Sequence, residues 1–362
     1  MRVRIVDPPA YTPPYDHALS AALAAAGADV ELVTSEFRHG PRPEAQGYAL
    51  NDHFYRVGGP LPVKLAQHPL DMLRLRRLPA VDVTHFQWLP IQAIDRHLLP
   101  EGPTVLTAHD VIPREPRPGQ LGALGKTYNS VDAVVVHSRN GREVLIKALD
   151  VAPERIHVIP HGVFEHLTKV SGAKPLPPEF AAVEKPVVLQ FGLMRPYKGI
   201  DLMLEGFAAA DPDAELWIVG AARMETEPLK QLASDLGIAE RVRWIERFVG
   251  DDELGAFFER ADVVALPYRQ IDQSGVLFTA LAFGKPLLLT RVGGFSEIAG
   301  DHGAALAVPP DDLTEIARGI TKLLDDPTER DRLAAAASAL AGGEFAWSSI
   351  AERTLALYET LI

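Results

Sequence analysis

Short apolar runs rich in β-branched residues, each followed by a stretch with helical spacing, recur along this chain. That alternation limits the fold more than any other feature. "RVRIV" (2–6) precedes a helical pattern near 16–26, "YDHALSAALAAAG", stopped by Gly27. "DVELVT", "VDVTHF", "TVLTAHD" and "VDAVVVHS" read as further buried strands, "SRNGREVLIKAL" as a helix capped by Ser138, and "RIHVIPHGV" closes this series. A second series runs "VVLQFG", helix 199–209, "ELWIVG", helix 226–237, "VRWI", helix 251–260, "DVVALP", helix 274–283, "PLLLT" and "AALAV". Helices near 311–325, 327–341 and 347–361 complete it. Strands that are apolar throughout belong to parallel sheets covered on both faces. The pattern therefore predicts an α/β protein with two Rossmann-like, doubly wound parallel-sheet domains facing a cleft. Residues 170–186, with Pro175, Pro177, Pro178 and Pro186, read as the interdomain linker, giving domains 1–173 and 174–345.

The length of 362 residues and 47% apolar content suit two cores. With no cysteine there is no disulfide framework, thiolate zinc site or cysteine nucleophile, which fits a cytoplasmic protein. The opening "MRVRIVDPP" lacks the apolar core of a secretory signal, and no stretch approaches the ~20 apolar residues of a membrane span. Residues 1–173 carry 18 Lys+Arg and 18 Asp+Glu; residues 174–362 carry the remaining 18 and 30, so the net −12 lies entirely in the second half. Nucleic acid is not an expected partner of such a surface, and any anion bound there must be gripped locally.

Two loops offer that grip. In "QFGLMRPYKGID" (190–201), Gly192 ends a strand and lets a ligand approach the backbone, while Arg195 and Lys198 follow three residues apart. Two readings stand: solvated surface cations near a turn, or a clamp on a diphosphate. In "LPYRQIDQSGVLFTALAFGKPLLLTRVGGFSEI" (266–298), Ser274 and Gly275 open a helix whose free N–H groups and positive dipole end attract phosphate. The alternative is an ordinary capped helix. Gly293 and Gly294 then permit close approach of ligand or backbone.

Together with "RVRWIERFVGDDELGAFFERADVVALPY" and the terminal "FAWSSIAERTLALYETL", these stretches resemble, in order, the donor domain of family-four glycosyltransferases of GT-B fold. "PPYDHALSAALAAAGADVELVTSEF", "VDVTHFQW", "VLTAHDVIPRE", "AVVVHS" and "VIPHGV" are similar, more weakly, to the acceptor domain. The resemblance implies a retaining, metal-independent hexosyltransferase using a nucleotide-diphosphate sugar of UDP or GDP type. It also implies a final helix, 346–362, that crosses back to the first domain. By the same resemblance Arg195 and Lys198 would bind the diphosphate, and Ser274, Gly275 and Val276 the phosphates or ribose. Arg247, Phe248 and Val249 would line the base pocket, and His109 would stand beside the transferred sugar. Where many members carry two glutamates eight apart, this chain has Ile271 and Thr279; Asp272 is then the candidate to reach the sugar and Thr279 the ribose. Sugar-nucleotide epimerases, phosphorylases and nucleotide-sugar-binding pseudoenzymes share the architecture and remain alternatives. A Rossmann dehydrogenase is disfavoured, because no G-x-G-x-x-G follows a first strand.

The acceptor side is less legible. The loop "DPPAYTPPYDHA" is proline-rich where many relatives are glycine-rich, and Asp16 reads as a helix cap or an acceptor ligand. His85, His137 and His161 end apolar runs and read as structural. His109, before Asp110, is open to both a structural and a functional reading. "LDMLRLRRLP" (70–79) mixes leucines with Arg74, Arg76 and Arg77. It reads as an amphipathic surface helix or as a peripheral contact with anionic lipid or a charged acceptor. The acceptor itself is left open between a glycan, a lipid-linked carrier and a small metabolite.

Overall fold

The computed structural model describes residues 1–37, 44–113, 116 and 118–362; Arg114 and Glu115 of "VLTAHDVIPRE" lie outside them. Those residues form two compact units, Met1–Gly162 with Phe345–Ile362, and Val163–Glu344.

The first unit holds β1 (Arg2–Asp7), β2 (Asp29–Ser35), β3 (Ala49–Phe54), β4 (Val83–Phe86), β5 (Thr104–Thr107), β6 (Ala133–Val136) and β7 (Ile156–Val158). They pair in the order β3-β2-β1-β4-β5-β6-β7, all parallel. β4, β5 and β6 are buried at every residue, which is why the sequence shows them as unbroken apolar runs. The edge strand β3, "ALNDHF", was not anticipated. It is half-exposed and polar, with Asn51 donating to Glu31 on the neighbouring strand at 2.9 Å. The helix Arg139–Leu149 is capped as expected, Ser138 Oγ accepting from Gly141 N–H at 2.9 Å.

The second unit holds β8 (Val187–Phe191), β9 (Glu215–Val219), β10 (Val242–Ile245), β11 (Val263–Leu266), β12 (Leu287–Thr290) and β13 (Leu306–Val308), ordered β10-β9-β8-β11-β12-β13, again all parallel. Both sheets are doubly wound. The strand order reverses between β1 and β4 in one and between β8 and β11 in the other. Ligands of such sheets sit at that reversal, beyond the carboxyl ends of the strands.

The units divide between Gly162 and Val163, where the sequence put the boundary at 173. The proline-rich stretch is no linker. Its prolines open a short helix, Pro178–Ala181, whose Phe180 is buried 4.9 Å from the Trp217 ring and 5.6 Å from that of Phe257. The final helix, Trp347–Glu359, packs in the first unit beside the helix Pro13–Ala25, with Ile350, Ala351, Leu357 and Tyr358 buried in its core.

Candidate functional site

In the second unit the residues after β8, β11 and β12 gather at the reversal of strand order. Gly192 follows β8 at φ 102°, a backbone region that side chains rarely adopt. A Cβ there would stand 2.7 Å from Lys198 Nζ and 2.9 Å from Val276 Cγ2. A bare backbone, an ammonium and the first turn of the helix Gly275–Ala282 thus meet at one point. Lys198 is buried, lies 5.1 Å from the centre of the Tyr268 ring, and places Nζ 3.5 Å from the Phe191 carbonyl. Its own carbonyl accepts from Gln190 Nε2 at 2.9 Å, which ties the loop to the strand. Arg195 is exposed at the start of the same turn.

The helix Gly275–Ala282 cannot satisfy the N–H groups of Gly275 and Val276 internally. Ser274 precedes it, buried, and makes no capping bond with its side chain. Thr279 lies one turn on, buried, and donates back to the Gly275 carbonyl at 2.9 Å. Towards a ribose its hydroxyl is therefore an acceptor only. Ile271 is buried and Asp272 is half-exposed. The Gly293–Gly294 turn after β12 serves a close backbone approach rather than a ligand. A Cβ on Gly293 would fall 1.7 Å from the Ile271 carbonyl oxygen, and Gly294 N–H donates to Asp272 at 3.2 Å.

The loop after β10 carries the three residues expected at the base, Arg247, Phe248 and Val249. Arg247 is bound to Glu253 at 2.6 Å and donates to the Phe248 carbonyl at 3.0 Å. Val249 is buried, and Phe248 stands 68% exposed, its ring open to stack with a planar group. Two residues the sequence reading passed over complete the site. Tyr268 supplies the floor under Lys198. Arg269 locks the β11 exit to the β8 loop, binding Asp201 through two contacts of 2.8 Å and Asp311 at 3.0 Å. Both sit in "LPYRQ", a strand exit that could have been weighted by position alone.

In the first unit four histidines follow or end adjacent strands. His85 Nδ1 lies 2.6 Å from Tyr358 Oη and Nε2 2.7 Å from Thr107 Oγ1; His137 Nδ1 lies 2.9 Å from the Ile159 carbonyl. His109 has Nε2 3.0 Å from the Gln87 amide and Nδ1 3.4 Å from His137 Nε2. Trp88 stacks on its ring at 5.3 Å and Tyr15 meets it edge-on at 4.7 Å. A carbonyl can only accept, so His137 Nδ1 carries the proton and its Nε2 accepts from His109. Every contact in the row then has one donor only if Gln87 turns its NH2 towards His109. Desolvation first, and the neighbouring histidines next, hold the His109 pKa well below its ordinary value; His85 is lowered to about 3, His137 to about 4 and His161 to about 3, in each case chiefly by burial. These imidazoles are neutral at neutral pH.

Asp16 is not a cap. Thr12 occupies that position, and Asp16 is buried against Asp7 at the end of β1. Thr12 bridges them, its N–H donating to Asp7 at 3.2 Å and its hydroxyl to Asp16 at 3.3 Å, while Trp88 Nε1 donates to the Thr12 hydroxyl at 3.1 Å. Burial raises both carboxyl pKa values, and for Asp16 the Asp7 charge adds to the effect. A shallow concavity of about 750 Å³ lined by Arg96, Lys126, Asn129 and Asp150 also lies in this unit. It opens by the C-terminal ends of helices, at the rim opposite the strands' carboxyl ends. Among the described residues no three His, Asp or Glu side chains gather as a metal site.

Comparison with known proteins agrees with this fold. Residues 176–339 match the model of glycosyl transferases group 1, and residues 15–165 match that of glycosyltransferase family 4. The chain is 29% identical over 235 residues to the MMP alpha-(1->4)-mannosyltransferase of Mycolicibacterium hassiacum, covering 64% of this chain and 54% of that one. It thus spans about half the length of that curated relative. Sucrose-phosphate synthase from Thermosynechococcus elongatus superposes with a TM-score of 0.78 at 18% identity, covering 100% of this chain and 99% of that one. Anabaena HepE in complex with UDP-glucose superposes at 0.77 and 18%, covering 100% of both. Two parallel α/β units and two family matches that between them run through both give one conclusion: the chain belongs to glycosyltransferase family 4, with the GT-B fold.

Proposed function

We propose that this chain transfers a sugar from a nucleoside-diphosphate sugar to an acceptor hydroxyl, with retention of configuration and without a metal. The observation that carries the reading is the meeting of Gly192, Lys198 and the Gly275–Val276 helix start at the strand-order reversal. Breaking the bond between the sugar C1 and the phosphate oxygen leaves the electron pair on the diphosphate. A fixed ammonium, the Arg195 guanidinium and helix N–H groups aimed there stabilise that charge more in the transition state than in the ground state. The acceptor oxygen bonds to C1 on the face the diphosphate leaves, and its proton passes to the departing phosphate oxygen. No separate base is needed, which accords with His109 being neutral and held on both ring nitrogens. His109 then offers the sugar the face of its ring as a wall, not a free ring nitrogen.

The donor is of UDP or GDP type: HepE is described with UDP-glucose, and the Mycolicibacterium relative is a mannosyltransferase. Phe248 offers a ring to the base. The acceptor is a glycan, a lipid-linked carrier or a small metabolite. A thermal-shift screen against nucleoside diphosphates and their sugars tests the donor site, since a ligand of the folded state raises the midpoint. A flat response to all UDP and GDP compounds would end the proposal. A second reading, a nucleotide-sugar-binding protein without turnover, is favoured by buried Ile271 and inward-bonded Thr279 at the positions of the family's glutamates. Donor hydrolysis or transfer excludes it.

A further inference from the structure

Tyr55, the residue after β3, is held in the left-handed region at φ 54°, where a bulky side chain is an outlier. Strain of this kind persists only where the surroundings over-determine it, and it gathers at sites that bind. Tyr55 is fixed at three points. Its N–H donates to Asp71 at 3.0 Å, its carbonyl accepts from Gly58 at 2.8 Å, and its hydroxyl lies 2.9 Å from His68 Nδ1. His68 is fully buried and stacks beside the Tyr55 ring at 25°; its Nε2 lies 2.7 Å from Asp95, also fully buried. A carboxylate only accepts, so Nε2 carries the proton, and in the neutral ring Nδ1 accepts from the phenol. The Tyr55 hydroxyl then has lone pairs to offer and no proton. Burial chiefly, then the charges of Asp95, Tyr11, Asp71 and Asp7, raise the Tyr55 pKa, so the hydroxyl stands within electrostatic range of the β1 exit.

The groups at the neighbouring strand exits are of the same kind. Asp7 is buried; its Oδ2 accepts from Thr12 N–H at 3.2 Å, and its Oδ1 meets no donor in hydrogen-bonding geometry. Gln87, buried just after β4, turns one amide atom to His109 and leaves the other without a partner. In the orientation that the histidine row requires, that atom is the oxygen. Buried polar atoms are rarely left unpaired, and one that is points to a ligand. Tyr11 stands 66% exposed, edge-on to Trp88 at 5.5 Å, its ring open to the C–H groups of a sugar. Nearby cations have other partners: Lys64 lies over the Tyr55 ring, 5.6 Å from its centre, Arg56 donates to the Asp52 carbonyl at 2.6 Å, and Arg74 binds Asp71 at 2.9 Å. Among the described residues no Lys or Arg bonds to Asp7 or Asp16. A set of acceptors and carboxyls suits a ligand that brings O–H or N–H donors and disfavours a phosphate.

We infer that the acceptor enters as a hydroxyl-rich ring without phosphate, received by Tyr55, Asp7 and Gln87 and stacked on Tyr11. The inference rests on the transfer reading and names the class of its acceptor. The test is a thermal-shift titration of the whole chain, with and without UDP or GDP. The probes are glucose, galactose, mannose and myo-inositol, glucosamine, and the 6-phosphates of glucose and mannose. Neutral or amino compounds should raise the midpoint, and the phosphates should need at least about tenfold more to do so. A preference for glucosamine over glucose would identify the donor group as an ammonium. For a sugar that responds, Tyr55→Phe should raise the half-saturating concentration about tenfold, as for one lost hydrogen bond, with the nucleoside-diphosphate response unaltered. If Tyr55→Phe also lowers the starting midpoint, because His68 loses its partner, Tyr11→Ala on the surface is the deciding variant and should weaken the same sugar. A chain that answers the nucleoside diphosphates but no sugar, or that prefers the phosphates, overturns this inference and leaves the transfer reading standing. Sugar responses indifferent to both variants overturn it equally. A chain flat to the nucleoside diphosphates ends the transfer reading, and this inference with it.

Discussion

The ammonium of Lys198 stands 5.1 Å from the centre of the Tyr268 ring, so the cation that follows β8 rests on an aromatic face delivered by the exit of β11. Each strand end alone offers little; the pair holds a charge in a fixed, partly dry position at the sheet's reversal.

Replacing Lys198 by Met, which keeps its bulk against Tyr268, together with Arg195→Ala, removes both side-chain cations from the proposed clamp. Transfer should fall by about 10²–10³ in kcat, as when other preorganised donors are removed. The far-UV dichroism should be that of the parent. Steady-state turnover at the parental rate would dismiss the clamp.

Gly192→Ala should damage the site without touching any charge. The new methyl group meets Lys198 Nζ and Val276 Cγ2 in a positive-φ backbone, so about 1–3 kcal/mol of strain is expected. Donor affinity and thermal midpoint should both drop. An alanine variant with parental calorimetric affinity for the nucleoside diphosphate would show that the ligand lies elsewhere.

His109→Ala should reduce transfer much more than it reduces affinity for the free nucleoside diphosphate, because the residue belongs to the first unit and the proposed clamp to the second. Equal losses in both would count against a place beside the sugar. Gln87→Leu removes the amide 3.0 Å from His109 Nε2 and should lower kcat with little change in donor KM. Restoration by Gln87→Asn would reveal how tightly that distance is set.

Acid should loosen the first unit. The unfolded chain takes up protons on His85, His137 and His161 near pH 6.5, whereas in the folded chain their pKa values lie at about 3, 4 and 3. The unfolded state thus binds more protons across that window, and stability rises with pH within it and is lost on acidification below about 6.5. The Asp7–Asp16 pair acts in the opposite sense, because its raised values favour the protonated folded form as pH falls. Three histidines outweigh one shared site, so the thermal midpoint should decrease from pH 7 to pH 5. Asp16→Asn should raise the midpoint at pH 7. A midpoint constant across the range would contradict the burial of the imidazoles.

Much of this was legible before any coordinates. The strands of the second unit announce themselves because both faces are covered, and the "GLMRPYKG" loop and the Ser274–Val276 helix start lie where their positions after β8 and β11 imply. What could not be read has physical causes. β3 is a polar edge strand, and edge strands need only one apolar face. Prolines at 175–178 look like a linker, but they start a helix whose Phe180 is driven into the core beside Trp217. Tyr268 and Gln87 act through partners distant in sequence, Lys198 and His109, and no local pattern marks such a pairing. Asp16 looked like a cap because it sits in a first turn, yet Thr12 holds that position and the carboxyl turns inward to Asp7.

The chain enters its first unit, leaves at Gly162 and comes home only at Phe345, where Tyr358 closes on His85 and Ile350 and Leu357 fill the core. On the ribosome the unit begun first is therefore completed last, after the whole second unit has emerged. A premature stop at Phe345 would strip the interior of the amino-terminal half and leave the carboxyl-terminal sheet whole.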